Sequence, residues 1–238
     1  MWPKAKYAIL VLATLAGLAS PAFAQSSGAI LVEDFESYEP GEAPSRWSWP
    51  HLGHRSLLPI EKVPVRDDDF FEIVEEDGRR FARAYTKNET VQIGRENGNG
   101  YDWNLRNHER LAWQWRAVEL PQGAREDRRN LNDTGAAVYV MFDCRDWLRR
   151  PCSIKYSYSS TLPIGSTHRY GQLYVLVVSS AQAGMGNWIR IERNVADDFR
   201  RFFGREAPER PVLIILWGDS DSTRGVSDVH FDTVELLD

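Results

Sequence analysis

Leu111-Ala-Trp-Gln-Trp-Arg-Ala-Val118 alternates along its whole length. Leu111, Trp113, Trp115 and Ala117 fall on one face, Gln114 and Arg116 on the other. A repeat of two is the signature of a strand with one buried side. Large aromatics at that spacing are more often core than surface. The same pair could also form a platform for a sugar ring, roughly 7 Å long.

The signal recurs outward in both directions. Ala29 to Val32 opens the fold. Phe70–Val74 and Phe81–Thr86 flank Asp77-Gly78, a hairpin with Asp-Gly at the bend. Thr90–Ile93, Ala136–Phe142, Ile154–Ser159, Gln172–Val178, Trp188–Arg193, Val212–Trp217 and Asp228–Leu237 read as further strands. Residues 121–135 form a long polar loop. One helix breaks the pattern. Asn194 is its N-cap, Gly204 its C′ residue, and Val195, Phe199, Phe202 and Phe203 make an apolar stripe. Asp197 and Asp198 open it and Arg200 and Arg201 close it, as the helix dipole prefers. The expectation is an all-β, jelly-roll-like antiparallel β-sandwich of about ten strands. One short α-helix, at 194–203, docks on it.

The first residues add an address. Lys4 and Lys6 precede an apolar run over 7–18, and Ala22-Phe23-Ala24 supplies a cleavage pattern before Gln25. This reads as a secretory signal peptide over 1–24, cut between Ala24 and Gln25. The run is too short for a stable membrane anchor. Residues 25–238 are then one domain in the periplasm or outside the cell. Without Lys4 and Lys6, 27 basic side chains face 34 acidic ones, a formal charge of −7. Such a chain repels phosphate, so nucleic acid is excluded as a partner. The only cysteines, Cys144 and Cys152, lie eight residues apart. In an oxidising compartment they are expected to bridge; two free thiols are the alternative.

Several stretches resemble a family of bacterial exported proteins known only as a domain of unknown function. They are LAWQWR at 111–116, AAVYVMFD at 136–143, IKYSYSS at 154–160, WIRIERNVADDFRRFFG at 188–204 and GDSDST at 218–223. The resemblance implies a jelly-roll-like envelope protein without an assigned activity. The chain departs from the pattern at three places: Ala137 stands for an Arg, Lys155 for an Asn and Tyr158 for a Trp. VEDFESY at 32–38 and VHFDTVEL at 229–236 look like the first and last strands of carbohydrate-binding jelly rolls, a likeness of fold alone.

Asp219-Ser-Asp-Ser-Thr223, followed by Asp228, is the densest cluster of oxygen ligands. Asp219, Asp221 and Asp228 are candidate ligands of a structural calcium, which takes about 6–8 oxygens. The competing reading is a turn rich in Asp and Ser. Trp47 and Trp49 sit in a Pro-rich segment with His51 and His54, placed for exposure. With Trp115, Arg116 and Tyr158 they are the candidate ligand-binding residues. No HExxH, GxSxG or P-loop pattern occurs. Asp197 and Asp198 are explained by the helix dipole, so no catalytic residue is assigned. The expected function is a non-catalytic binding module for a saccharide or envelope component. A polysaccharide hydrolase or lyase on the same fold comes second, and a structural or protein-interaction role third.

Overall fold

The alternation in 111–118 closes a sandwich. In the computed structural model, which describes residues 28–51, 56–60, 66–144 and 151–238, Trp113 and Trp115 are buried between two sheets. The expected signal peptide and its Ala24–Gln25 cut fall outside the described residues. Among the described residues no helix is long and apolar enough to cross a membrane.

Among the described residues fourteen strands follow in chain order: β1 (Ile30–Glu33), β2 (Ser48–His51), β3 (Ser56–Pro59), β4 (Asp69–Glu76), β5 (Arg79–Lys87), β6 (Thr90–Glu96) and β7 (Arg110–Glu119). Then come β8 (Ala136–Phe142), β9 (Cys152–Ser159), β10 (Thr167–Tyr170), β11 (Leu173–Ser180), β12 (Ile189–Asn194), β13 (Leu213–Asp219) and β14 (Val226–Leu237). The helix α1 (Val195–Phe203) sits between β12 and β13. Six strands form one sheet in the order β12-β7-β14-β5-β4, with β1 added along β14. Eight form the other in the order β10-β11-β9-β8-β13-β6-β2-β3. The architecture is the expected jelly-roll-like β-sandwich with one helix. Neighbours pair antiparallel with one exception: β11 runs parallel to β9. β10 makes this possible, because it turns back antiparallel on β11 at the sheet edge.

Local chemistry explains the joints. Asp77 and Gly78 both have positive φ, at 53° and 75°. That is the two-residue turn whose twist matches a hairpin, and it puts Glu76 opposite Arg79. In α1, Asn194 Oδ1 accepts from the Asp197 N–H at 2.8 Å. Gly204 ends the helix with φ 67°. Val195 and Phe199 enter the core, and Asp198 follows them inward. Its carboxylate takes a two-pronged bond from Arg193, at 2.9 and 2.6 Å, and a third from Tyr156 OH at 3.0 Å. A charged residue thus latches the helix to both sheets.

Cys144 and Cys152 form the expected disulfide, with Cα atoms 5.5 Å apart. It ties the start of β9 to the end of β8.

Candidate ligand-binding face of the eight-stranded sheet

β9 carries the clue to a site. All eight of its residues are buried. Cys152, Ile154, Tyr156 and Tyr158 belong to the core, so Ser153, Lys155, Ser157 and Ser159 project from the outer face. Part of that face is covered by the loop over 121–135. Glu126, itself buried, accepts from Ser157 Oγ, and from Ser159 Oγ at 2.7 Å. Tyr170 OH donates to the Glu126 carbonyl at 2.7 Å.

Strand register lays out the rest. One row across the outer face runs His168, Val175, Lys155, Tyr139, Ile215. The next runs Ser157, Ala137, Trp217, Gln92. Tyr139 and Trp217, both half-buried, come together with ring centroids 5.3 Å apart and planes tilted by 44°. The small Ala137 side chain beside them leaves room for this pairing. The Lys155 ammonium lies 5.4 Å from the Tyr139 ring and 5.9 Å from the Trp217 ring, within cation–π range. Burial works against that charge. Tyr139, Asp219 and Glu126 nonetheless hold its pKa above the ordinary lysine value.

Polar capacity around the two rings is unfilled. Trp217 Nε1 and Gln92 Oε1 are buried with no hydrogen-bond partner. Gln92 spends its amide N–H on the Pro50 carbonyl at 3.2 Å. Asp219 closes the row on the β13 side. Its Oδ1 accepts from Thr90 Oγ1 at 2.8 Å, and burial pushes its pKa up to about 6.

The residues expected from sequence fall elsewhere. Trp47 is closed off in the core, stacked on Phe35 at 6.2 Å, with its N–H on Glu33. Trp115 is core as well, bonded through Nε1 to Ser179 Oγ at 3.1 Å. Tyr158 packs on Trp115 at 5.4 Å and gives its hydroxyl to the Gly184 carbonyl at 2.6 Å. Trp49 is half-buried against the core. Arg116 lies on the outer face of the opposite sheet, donating to His230 Nδ1 at 3.1 Å and paired with Glu76 at 2.5 Å. Trp115 and Tyr158 meet inside the core, and the five do not converge on one surface. The Pro-rich surroundings of Trp47 suggest exposure, but Glu33 supplies its indole with a buried acceptor.

The acidic cluster is partly as expected. Asp219 and Asp221 meet, but their third member is Asp133, with ligand oxygens all within 4.8 Å of one another. Asp133 already accepts from the Ser222 and Thr223 N–H groups at 2.8 and 2.7 Å. Asp228 is on the other sheet, held by a two-pronged bond from Arg83 at 3.0 and 2.8 Å and by His230 at 3.3 Å. Two of the three departures from the family pattern, Ala137 and Lys155, stand on the face just described, while Tyr158 points inward.

Fold and face together define a class: a jelly-roll-like β-sandwich bearing an aromatic, polar-lined patch on its larger sheet. The chain belongs to the family described as protein of unknown function (DUF3047), which matches residues 59–235. No curated protein matches it. Among solved structures it is similar to the family 11 carbohydrate-binding module of the cellulosomal cellulase Lic26A-Cel5E of Clostridium thermocellum. Identity is 10% and the TM-score 0.44, over 90% of this chain and 96% of that one. It is also similar to the family 30 carbohydrate-binding module of the cellulosomal cellulase Cel9D-Cel44B of the same organism, with 10% identity and TM-score 0.43 over 88% and 96%. A third is the CBM22-1–GH10 portion of Clostridium thermocellum endo-1,4-β-D-xylanase 10B complexed with xylohexaose. It is 15% identical at TM-score 0.36, over 86% of this chain and 29% of that one.

Proposed function

We propose that this protein is an exported, non-catalytic saccharide-binding module whose ligand lies across Tyr139 and Trp217. One observation carries the reading: two half-buried aromatic rings lie side by side on an outer sheet face, with two polar atoms, Trp217 Nε1 and Gln92 Oε1, left without partners beside them. Sugar rings offer apolar C–H faces to aromatics and hydroxyls to the polar rim, and binding sites combine those two features. The carboxylates nearest the rings favour binding over hydrolysis. Glu126 and Asp219 already accept bonds from Ser157, Ser159 and Thr90, which hold them as fixed acceptors. Export is supported by the Cys144–Cys152 disulfide, a bond of oxidising compartments.

The test is a glycan array on residues 25–238, followed by calorimetry on any hit with Tyr139→Ala and Trp217→Ala. Each substitution is expected to weaken binding by about tenfold or more, or roughly 1.4 kcal/mol. Turnover of a polysaccharide by the purified chain would overturn the non-catalytic reading.

A structural calcium at Asp133, Asp219 and Asp221 is part of the same proposal. It is supported by three carboxylates within coordination reach of one point. Calcium is then expected to raise the melting temperature and chelator to lower it. An unchanged melting curve argues for a plain turn.

A further inference from the structure

Resting on the saccharide reading above, we infer that the Tyr139–Trp217 face selects neutral glycans over acidic, uronate-bearing ones. The first reason is the kind of polar capacity left open. Trp217 Nε1 lacks an acceptor and Gln92 Oε1 lacks a donor. Lys155, with 5% of its surface exposed, makes no ion pair within 4.0 Å among the described residues. Its ammonium lies beside the two aromatic rings, hydrogen-bonds with the Tyr139 side chain and feels the charges of Asp219 and Glu126. Donors and an acceptor stand together. At C6 a neutral hexose carries a hydroxyl, which donates and accepts at once and answers both; the carboxylate of a uronate at that position only accepts.

The second reason is charge. Lys155 is the one buried cation on this face among the described residues. Around it are the buried carboxylates of Glu126, Asp133 and Asp219, and the exposed one of Asp221. The buried carboxylates outnumber the one buried cation, so the field reaching the rings from within the protein is negative, while the exposed loop arginines such as Arg129 are screened by solvent. The chain as a whole adds a formal charge of −5. A uronate brought to the rings meets repulsion in a partly desolvated setting, where screening is weak. Lys155 balances its own carboxylate neighbours and has no charge to spare for a ligand's. Repulsion of the wrong ligand is a common source of specificity.

The experiment is calorimetric titration of the intact mature chain with two oligosaccharides of equal length, one of neutral hexoses and one of uronates. It is run at about 0.02 and 0.5 M salt, where the Debye length falls from over 20 Å to under 5 Å. The neutral ligand is expected to bind at least about tenfold more tightly at low salt, with the gap narrowing at high salt. Lys155→Gln, with its fold checked by circular dichroism, is expected to weaken the neutral ligand and widen the gap. Equal or tighter uronate binding, lost in Lys155→Gln, would make the lysine a carboxylate anchor and overturn the inference while leaving the saccharide reading intact. If neither ligand binds, and a glycan array is blank, the saccharide reading itself falls and this inference with it.

Discussion

Trp47 donates its indole N–H to Glu33 Oε2 at 3.1 Å, at a point where both side chains are closed to solvent. Around the same carboxylate, Arg46 donates at 2.7 Å, Arg95 at 3.1 Å and Tyr38 OH at 3.2 Å. The N–H groups of Asp34 and Phe35 complete the shell at 3.1 and 3.2 Å. A lone carboxylate in the core is costly; one with this many donors is a fastening. It joins the end of β1 to the segment carrying Trp47 and to Arg95 on β6.

Removing that acceptor takes the ion-pair partner from Arg95, whose side chain is 6% exposed, and leaves it the Val32 and Asn99 carbonyls. Glu33→Ala is therefore expected to destabilise the fold by about 3–5 kcal/mol. Trp47→Phe keeps an aromatic ring and removes one donor of several, so it should cost less, about 1–3 kcal/mol. Urea unfolding of both variants checks the order. Equal, small losses would mean that the network does not hold these segments.

The alternation in 111–118, the Asp77-Gly78 bend and the Asn194 and Gly204 caps were legible because each depends on neighbours in the chain. The binding face was not. Ala136–Phe142 and Val212–Trp217 read as continuous apolar runs because β8 and β13 carry large apolar or aromatic side chains, such as Tyr139, Met141, Ile215 and Trp217, on their outer face as well as a buried inner face. Such strands lose the period of two. Tyr139 and Trp217 become neighbours only through the β8–β13 register, 78 positions apart in the chain. Asp133 joins Asp219 in the same way, from a loop that sequence marks only as polar. The burial of Trp47 leaves no local trace because the acceptor for its N–H lies 14 residues earlier.

Asp228 gives a pH signature. Burial acts to raise its pKa, but His230 and Arg83 outweigh burial and hold it at about 2, below the ordinary 3.8. A depressed carboxyl adds stability that is complete above the unfolded value and lost as pH falls through the folded one. Its contribution should therefore fade between about pH 4 and pH 2. Asp228→Asn is expected to be less stable at pH 7 and to show a shallower loss across that window. Melting temperatures from pH 7 to pH 2 decide it; parallel curves for the two proteins would assign the acid limb to other groups.

The disulfide closes a loop of eight steps between Cys144 and Cys152. In the chain-entropy picture a loop that short contributes about 2–3 kcal/mol. For a domain of this size that is a melting shift of roughly 5–10 °C. A Cys144→Ala/Cys152→Ala double variant should show it, and reductant should produce the same shift in the parent but none in the variant. No response to reductant in the parent would mean that the bond does not form in the isolated protein.

Trp115 and Trp217 separate stability from binding. Trp115 is core, wedged among Trp113, Tyr158 and Phe231 at centroid distances of 5.4, 5.4 and 6.4 Å, with its N–H satisfied by Ser179. Truncating it to Ala should cost about 3–5 kcal/mol, because a cavity opens between the sheets. Trp217 is half-buried on the outer face, and its buried N–H has no partner to lose. Trp217→Ala should therefore cost clearly less stability than Trp115→Ala while weakening binding of the glycan that the parent takes by about tenfold or more. Tyr139→Ala should follow Trp217→Ala in both readouts, since the two rings act as one surface. If Trp217→Ala proves as destabilising as Trp115→Ala, the outer-face pair is a second core under the loop. The ligand surface would then have to be sought elsewhere on the sandwich.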